Sequence, residues 1–162
     1  RIDDCPSPAL VTIEVGGDGE EATEEAIRGI YDSLRATSLA MSEKTVLPGG
    51  GASHSMIAHH VRTEMESEPG RERIAMESFA RAMETIPAVL AENSGQNPLD
   101  KVLKLRSEAR NGNCMGIDRD GKITSPEGVW HPKSVISGSL ETATETAISM
   151  LRIDQVVSAR GD

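Results

Sequence analysis

Three consecutive glycines, Gly49, Gly50 and Gly51, follow Pro48 between two segments with helical periodicity. Glycine costs backbone entropy in a helix hairpin, and it is useful where the chain must adopt positive φ or where another group must approach the backbone closely. Without side chains, such a loop presents bare N–H groups beside the N-terminus of the next helix, an arrangement that suits an anion or a nucleotide. A turn that only packs tightly between two helices would need the same residues. The glycines alone therefore leave both interpretations open.

The rest of the sequence predicts mostly helices. The expected elements are, in order, a strand over 9–15, helices from Asp18 to about Glu43, over 52–67 and over 71–92, a helix opened by Asn97 and Pro98, a hairpin around Asp120 and Gly121, a helix from Pro132 to about Leu151, and a strand over 152–158. The fold class is therefore mainly α with small β elements. Two strands at opposite ends of a chain do not make a sheet that is stable alone, so the pattern indicates part of a larger body.

Apolar residues at spacings of three and four predict which face of each helix is buried. The predicted buried residues are Ala26, Ile30, Leu34, Thr37 and Met41; Ala75, Phe79, Ala82, Met83, Ile86 and Leu90; Leu99, Val102 and Leu103; and Ile136, Leu140, Ala143, Ala147 and Leu151. Asp32 lies off the first of these stripes, four residues after Arg28, and we expect an ion pair between the two. The residues alone thus favour a solvated surface acid at Asp32.

Charge and length exclude several classes of function. The 162 residues carry 26 acidic and 17 basic side chains, a net charge of −9 that disfavours nucleic acid and anionic membranes as partners. No apolar run approaches the roughly 20 residues of a membrane span. Residues 1–4 include neither an initiator Met nor the start of a signal peptide, which indicates a cut inside a longer chain.

No metal site is expected from the cysteines and histidines. Cys5 and Cys114 do not have the spacing of metal ligands and are interpreted as reduced thiols of a cytoplasmic protein. The histidines His54, His59 and His60 fall in one predicted helix, but adjacent residues of a helix point about 100° apart. His60 and Glu64 share a face, yet two ligands do not make a site.

Seven segments, spread from about Cys5 to Ser158, resemble one protein family. They are VTIEVGG, EEAIRGIYDSL, VLPGGGASH, GRERIAMESFARAMETIPAVLAENSGQNPLD, GIDRDGKI, GVWHP and TATETAISMLRIDQVV. In this order they resemble the C-terminal third of a group II chaperonin subunit, the family of the archaeal thermosome and its eukaryotic cytosolic relatives. The resemblance implies that residues 1–38 end the apical and intermediate segment. Residues 39–162 would then form the C-terminal half of the equatorial domain.

The resemblance also implies an activity. Members of the family are ATP-driven folding machines built as double rings in the cytoplasm, so the expected partners are neighbouring subunits and unfolded polypeptides, and the expected ligands are ATP and Mg²⁺. Asp32 matches the catalytic carboxylate that orients the attacking water. The residues that match the nucleotide contacts are Gly49, Gly50, Gly51, Asp118, Val129 and His131. A helix from Asp32 to Glu43 would span roughly 17 Å, so Asp32 and the glycines would serve opposite ends of one ligand.

Several positions depart from the family pattern. His131 stands where the family usually has an acid that binds the ribose, Ile136 replaces a lysine, His54 replaces a glutamate and Val15 replaces an arginine. The phosphate loop with its Mg²⁺-binding aspartate belongs to the family's N-terminal part, so this stretch would hold half of an ATP site. The alternative interpretation is a non-enzymatic interaction module that keeps ring contacts without turnover.

Overall fold

The structure is a computed structural model that describes residues 11–153. Its elements are α1 (Glu20–Glu43), β1 (Val46–Pro48), α2 (Ala52–Met65), α3 (Glu72–Asn93), α4 (Pro98–Arg110), β2 (Gly116–Ile117), β3 (Ile123–Thr124), β4 (Trp130–Pro132) and α5 (Lys133–Leu151). The expected fold class, mainly α with small β elements, is confirmed. The chain divides into two compact units, and the boundary lies between Leu39 and Ala40.

The predicted strand over 9–15 is wrong in its described part, whereas the predicted strand over 152–158 lies almost wholly outside the described residues. Residues 11–15 are irregular, with Val11 76% and Ile13 53% exposed, and residues 9 and 10 lie outside the described part. At the other end, 152–153 are not extended in a sheet, and 154–158 lie outside the described part. A β-branched run forms a strand only where another strand supplies its hydrogen bonds, and the described residues supply none to 11–15.

The long helix α1 forms as predicted but buries none of its residues. Apart from the partly buried Ile30, the predicted stripe is exposed, Met41 by 74%, because periodicity identifies an apolar face without showing that this chain covers it. The predicted pair of Arg28 with Asp32 is also wrong. Arg28 Nη2 instead lies 2.6 Å from a carboxylate oxygen of Glu25, three residues earlier, an equally accessible neighbour on the same face.

Two short antiparallel pairings organise the second unit. The expected hairpin is confirmed, with Gly116 opposite Thr124 and Ile117 opposite Ile123. The other pairing was not predicted: in it, Val46 lies opposite Pro132, Leu47 opposite His131 and Pro48 opposite Trp130. Residues 45–47 give no strand signal in the sequence, because a three-residue strand is too short to show an alternating pattern.

Helices α2, α3 and α4 form the core, and α3 buries a face that overlaps the predicted one at Met83, with Phe79 partly buried beside it. Its buried residues are Ala80, Met83, Glu84, Pro87 and Ala91, whereas Ile86 is 46% and Leu90 36% exposed. One cluster joins Ala58 of α2 to Ala80 and Met83, and another joins Ala91 to Leu105 and Ile117. Alanines on the facing surfaces let the helices approach closely, so small residues rather than large ones mark the buried face.

The other two stripes were predicted only in part. Helix α4 buries Leu105 and Ala109, while Leu99 and Leu103 are 65% and 50% exposed. Its start is as expected, because the Asn97 side chain accepts hydrogen bonds from the Leu99 and Asp100 amides at 2.9 and 3.3 Å. Helix α5 buries only Ile136, with Leu140 partly buried against the core and Leu151 86% exposed.

A single buried carboxylate holds the three core helices together. The guanidinium groups of Arg62 in α2 and Arg106 in α4 each donate two hydrogen bonds to the carboxylate of Glu84 in α3, at 2.5–2.9 Å. Burial raises the pKa of the Glu84 carboxyl, but the hydrogen bonds and charges of the two arginines outweigh this, so its pKa is lowered. Arg62 also binds Glu77, whose pKa is lowered for the same reason.

Replacing Glu84 by Gln should destabilise the chain, because two arginines would lose their common counter-charge at a buried position. Removing one partner of a buried ion pair costs about 3–5 kcal/mol. Urea unfolding followed by circular dichroism at neutral pH measures the loss. Glu92→Gln, an exposed substitution on the same helix, is the matched control and should change the free energy of unfolding by less than about 0.5 kcal/mol.

The effect of Glu84→Gln should fade on acidification. The pKa of Glu84 is lower in the folded chain than in the unfolded one, so its stabilisation is present above the unfolded pKa of about 4.3 and is lost as the pH falls through the folded pKa. The two unfolding free energies should therefore converge below about pH 4.3. A difference that stayed constant over this range would contradict a charged Glu84 at neutral pH.

Candidate functional site

The glycine loop lies where the two strand pairings meet. Strand β1 leads into the loop, α2 begins directly after it at Ala52, and β4 runs alongside β1. The Gly49 amide donates to the Val129 carbonyl at 2.8 Å, and the Ile117 amide donates to the Gly50 carbonyl at 2.8 Å. The loop is thereby fixed on one side to the residues before β4 and on the other to β2.

Each glycine of the loop is required by its surroundings. A Cβ at Gly49 would lie 2.4 Å from Val129 Cγ1, and one at Gly51 would lie 2.8 Å from Cβ of the buried Pro87. Gly50 has φ +60°, and its Cβ would lie 2.7 Å from the Ile117 carbonyl oxygen. The tight-packing explanation of the three glycines is therefore correct, and it does not exclude a ligand at the loop.

Two backbone donors of the loop are left over. Among the described residues, the amides of Gly50 and Gly51 have no acceptor, while the amide of Ala52 donates to the Gly49 carbonyl and that of Ser55 to the Gly51 carbonyl, both at 3.0 Å. The first amides of a helix carry a partial positive charge and can bind an anion or another acceptor. The loop therefore offers donors at the start of α2 that the chain itself does not use.

Two histidines flank the loop. The Nε2 atom of His131, in β4, lies 3.1 Å from the position that a Cβ of Gly49 would occupy. His54 lies in the first turn of α2, and its pKa is lowered by burial and further by the nearby His131. His54 was not among the site residues expected from the sequence. Its position three residues after the loop was the signal available.

Asp118 begins the turn that connects β2 to β3. Its Oδ1 accepts hydrogen bonds from the amides of Asp120 and Lys122, at 2.9 and 2.7 Å, and its own amide donates to the Lys122 carbonyl. Because Asp118 follows Ile117, whose amide is bonded to the loop, the structure brings this turn close to the glycines in space. The first role of Asp118 is thus to shape the turn.

The structure brings together the predicted nucleotide contacts of the second unit. The residues gathered around the two strand pairings are Gly49, Gly50, Gly51, Asp118, Val129 and His131. Asp32 belongs to the first unit, where it is exposed on α1. Close to it in the sequence, the guanidinium of Arg35 donates to the Tyr31 hydroxyl at 2.9 Å, and this bond, with a smaller contribution from Asp32, raises the pKa of Arg35.

Neither a candidate metal cluster nor a membrane-spanning helix is found in the part of the chain that the structure describes. Within 11–153, no three or more His, Cys, Asp or Glu side chains are grouped so that they could hold a metal ion. His60 and Glu64 approach to 4.0 Å on an exposed face of α2. None of the described helices combines the length and the apolar character that crossing a membrane requires.

Comparisons with known proteins agree with one another. The profile of the TCP-1/cpn60 chaperonin family matches residues 1–161. The chain is 37% identical to a thermosome subunit of Methanocaldococcus jannaschii over 98% of its length, and 40% identical to a thermosome subunit beta of Thermoplasma acidophilum over 96%. In both cases it spans 30% of the relative's length.

A solved structure gives the same result for the fold. The chain superposes on an open-state monomer of a group II chaperonin from Methanococcoides burtonii with a TM-score of 0.71 and 28% identity. The match covers 85% of this chain and 35% of that monomer. The chaperonin fold expected from the sequence is thus confirmed.

Replacing Gly50 by Ala should destabilise the loop, because Ala at φ +60° is strained and its Cβ would meet the backbone of Ile117. We expect a loss of about 1–3 kcal/mol in the free energy of unfolding, measured by urea unfolding. Gly138→Ala in α5 is the control: nothing lies within 4 Å of the new Cβ, so it should stabilise the chain by about 0.5–1 kcal/mol. Equal stability of Gly50→Ala and the unmodified chain would contradict the packing described here.

Proposed function

This chain belongs to the TCP-1/cpn60 chaperonin family, and from that membership we propose that it contributes one half of the ATP site of an ATP-dependent chaperone subunit. One observation carries the proposal: hydrogen bonds hold the glycine loop between Val129 and Ile117, beside His131 and the Asp118 turn. These are the positions at which the family resemblance places nucleotide contacts. The chain spans about 30% of the length of its relatives, so the complete activity is proposed for a longer protein.

The two units would correspond to parts of two chaperonin domains. We assign residues 1–38 to the end of the apical and intermediate segment and 39–162 to the C-terminal half of the equatorial domain. The observed division between Leu39 and Ala40 supports this boundary. The loop that binds the phosphates and Mg²⁺ would then lie in the remainder of the longer subunit, where the family resemblance places it.

The second unit would bind the nucleoside end of ATP. The unused amides of Gly50 and Gly51 are donors for ribose or base acceptors, and Val129, which is 50% exposed, provides apolar surface for a base. His131 would take the place of an acid at the ribose, because a neutral imidazole can either donate or accept one hydrogen bond. The loop would present these donors without rearrangement, since its packing against Val129, Ile117 and Pro87 already holds its backbone in place.

Asp32 would act at the phosphate end. Bound ATP and Mg²⁺ supply the reactive γ-phosphoryl group and neutralise the charge that develops during its transfer. The contribution of Asp32 would be to orient the attacking water, a task that requires position rather than a raised pKa. Its exposure on α1 leaves the carboxylate available for this role.

Assembly and clients are proposed on the same basis. The relatives are thermosome subunits, and the structural match is a monomer of a group II chaperonin. We propose that the complete protein forms a ring with neighbouring subunits in the cytoplasm and acts on unfolded polypeptides. The exposed apolar residues of α1 and of α3 support contacts with further parts of such an assembly, since isolated amphipathic helices are not otherwise stable.

Asp32→Ala in the full-length protein tests the catalytic assignment. If Asp32 orients water, single-turnover ATP hydrolysis should slow by a factor of roughly 10²–10⁴, equivalent to about 2.7–5.4 kcal/mol of barrier. Equilibrium ATP binding should change little, because the glycine loop and the nucleoside residues are untouched. Helix α1 should persist, since Ala is the best helix former.

The control for Asp32 is Glu24→Ala, which removes another exposed acid from the same helix and should leave hydrolysis intact. If Asp32 is only a surface acid, its replacement should cost at most about 0.3–0.5 kcal/mol of stability and leave turnover unchanged. Hydrolysis lost only in proportion to binding would also remove Asp32 from the catalytic site. Binding without any hydrolysis by the unmodified protein would favour the non-catalytic module.

The purified 162-residue chain should show no ATPase activity by itself. Phosphoryl transfer depends on positioning the phosphates and neutralising their charge, and the residues proposed for this task lie in the rest of the subunit. A coupled phosphate-release assay of the chain, with the full-length protein as the positive control, measures the difference. Turnover by the chain that Asp32→Ala abolishes would contradict the division of the site.

A further inference from the structure

A small cavity lies between α2, α3 and α4, next to the Glu84 cluster but outside the glycine loop. Its volume is about 30 Å³. The lining side chains are Ser55, His59, Arg62, Glu84, Val102, Leu105, Arg106 and Arg110. Helical spacing explains why these side chains line one cavity. Ser55, His59 and Arg62 lie three or four residues apart on one face of α2. The four lining residues of α4 lie on one face of that helix for the same reason: Val102, Leu105, Arg106 and Arg110.

The cavity has more positive than negative charge. Three arginines face one glutamate, which leaves a formal charge of +2 when His59 is neutral. Arg62 is also paired with Glu77, outside the cavity, and both Arg62 and Arg106 are bonded to Glu84. Among the described residues, Arg110 has no ion pair. A surplus of this sign is unexpected in a chain whose net charge is −9.

Size and lining define the class of ligand. A cavity needs roughly 10–15 Å³ to hold one water, so this one has room for a single ion somewhat larger than water. Val102 and Leu105 give it an apolar wall, which favours a weakly hydrated ion over a strongly hydrated one. We propose that the cavity binds a halide ion of the chloride or bromide class, held by Arg110 together with Nη1 of Arg106, which makes no hydrogen bond among the described residues.

The bound ion would complete the charge balance of the core. The two arginines on Glu84 repel each other and repel Arg110, which follows Arg106 by one turn of α4. An anion between them offsets this repulsion, more strongly at the partly buried Arg62 and Arg106 than at the exposed Arg110. Fluoride, which is strongly hydrated, and sulfate, which is too large for the volume, would bind less well. This selectivity separates a bound ion from general screening, which depends on ionic strength alone.

The proposal is tested in the full-length protein at constant ionic strength. Sodium gluconate is replaced stepwise by sodium chloride, bromide or fluoride, and Tm is followed by differential scanning fluorimetry. We expect a saturable rise in Tm, on the order of 2 °C, with chloride and bromide and a smaller rise with fluoride. Arg110→Gln should abolish the rise. Lys104→Gln removes the same charge from the same helix, outside the cavity lining, and should retain it.

Crystals of the full-length protein soaked in bromide provide a direct measurement that does not depend on the stability of a variant. An anomalous peak beside the Arg110 guanidinium supports the site, and its absence overturns it. Water alone in the cavity, or a carboxylate from another part of the longer protein in contact with Arg110, would also overturn the proposal. So would a Tm that depends on ionic strength but not on which anion is present.

Discussion

The second unit depends on the antiparallel pairing of β1 with β4. Each strand is only three residues long, and they come from distant parts of the sequence. Their pairing fixes where the glycine loop begins, because Gly49 continues the ladder through its bond to the Val129 carbonyl. The loop in turn determines where α2 starts. Pro132 ends β4 and caps α5, so the same pairing also fixes the start of the last helix.

The loop and the helical core are linked by one contact. Gly51 lies directly against Pro87, which is fully buried in the middle of α3. A proline inside a helix removes a backbone hydrogen bond, and it is tolerated where the surrounding packing compensates. Here the flat ring lies against a residue without a side chain. The ring of Pro87 in α3 thus provides the surface against which the glycine loop packs.

Much of the fold could be predicted from local signals. Gly49–Gly51, the Asn97-Pro98 cap and the turn at Asp120-Gly121 each indicated an element boundary that the structure has, because each acts through its own backbone conformation. The β1–β4 pairing could not be predicted, since a three-residue strand has no recognisable period. The buried face of α3 was misjudged in part, for a different reason. Large apolar residues such as Ile86 were weighted above small ones such as Ala80, and Glu84 was not considered as a buried residue.

The candidate site, too, could be predicted from the sequence only in part. Family resemblance supplied its residues by number, and the structure adds how Val129, His131 and the glycine loop come together. Physical reasoning from the sequence could not show that Asp118 shapes its own turn, because this depends on the backbone conformation of the next four residues. Periodicity also could not predict that the apolar stripe of α1 is left uncovered in this chain. A periodic pattern states that a face is apolar, but the partner that covers it need not be in the same chain.

If the glycine loop binds a ligand as proposed, the close packing of its three glycines has a consequence for the kinetics and entropy of that binding. A valine, a peptide carbonyl and a proline ring lie against the loop, so packing within the chain already holds its backbone in place. The ordering cost that flexible phosphate or nucleoside loops incur on binding is therefore met when the chain folds. The ligand should therefore bind to the glycine loop without rearranging its backbone. Any large conformational response to the ligand must then originate elsewhere in the protein.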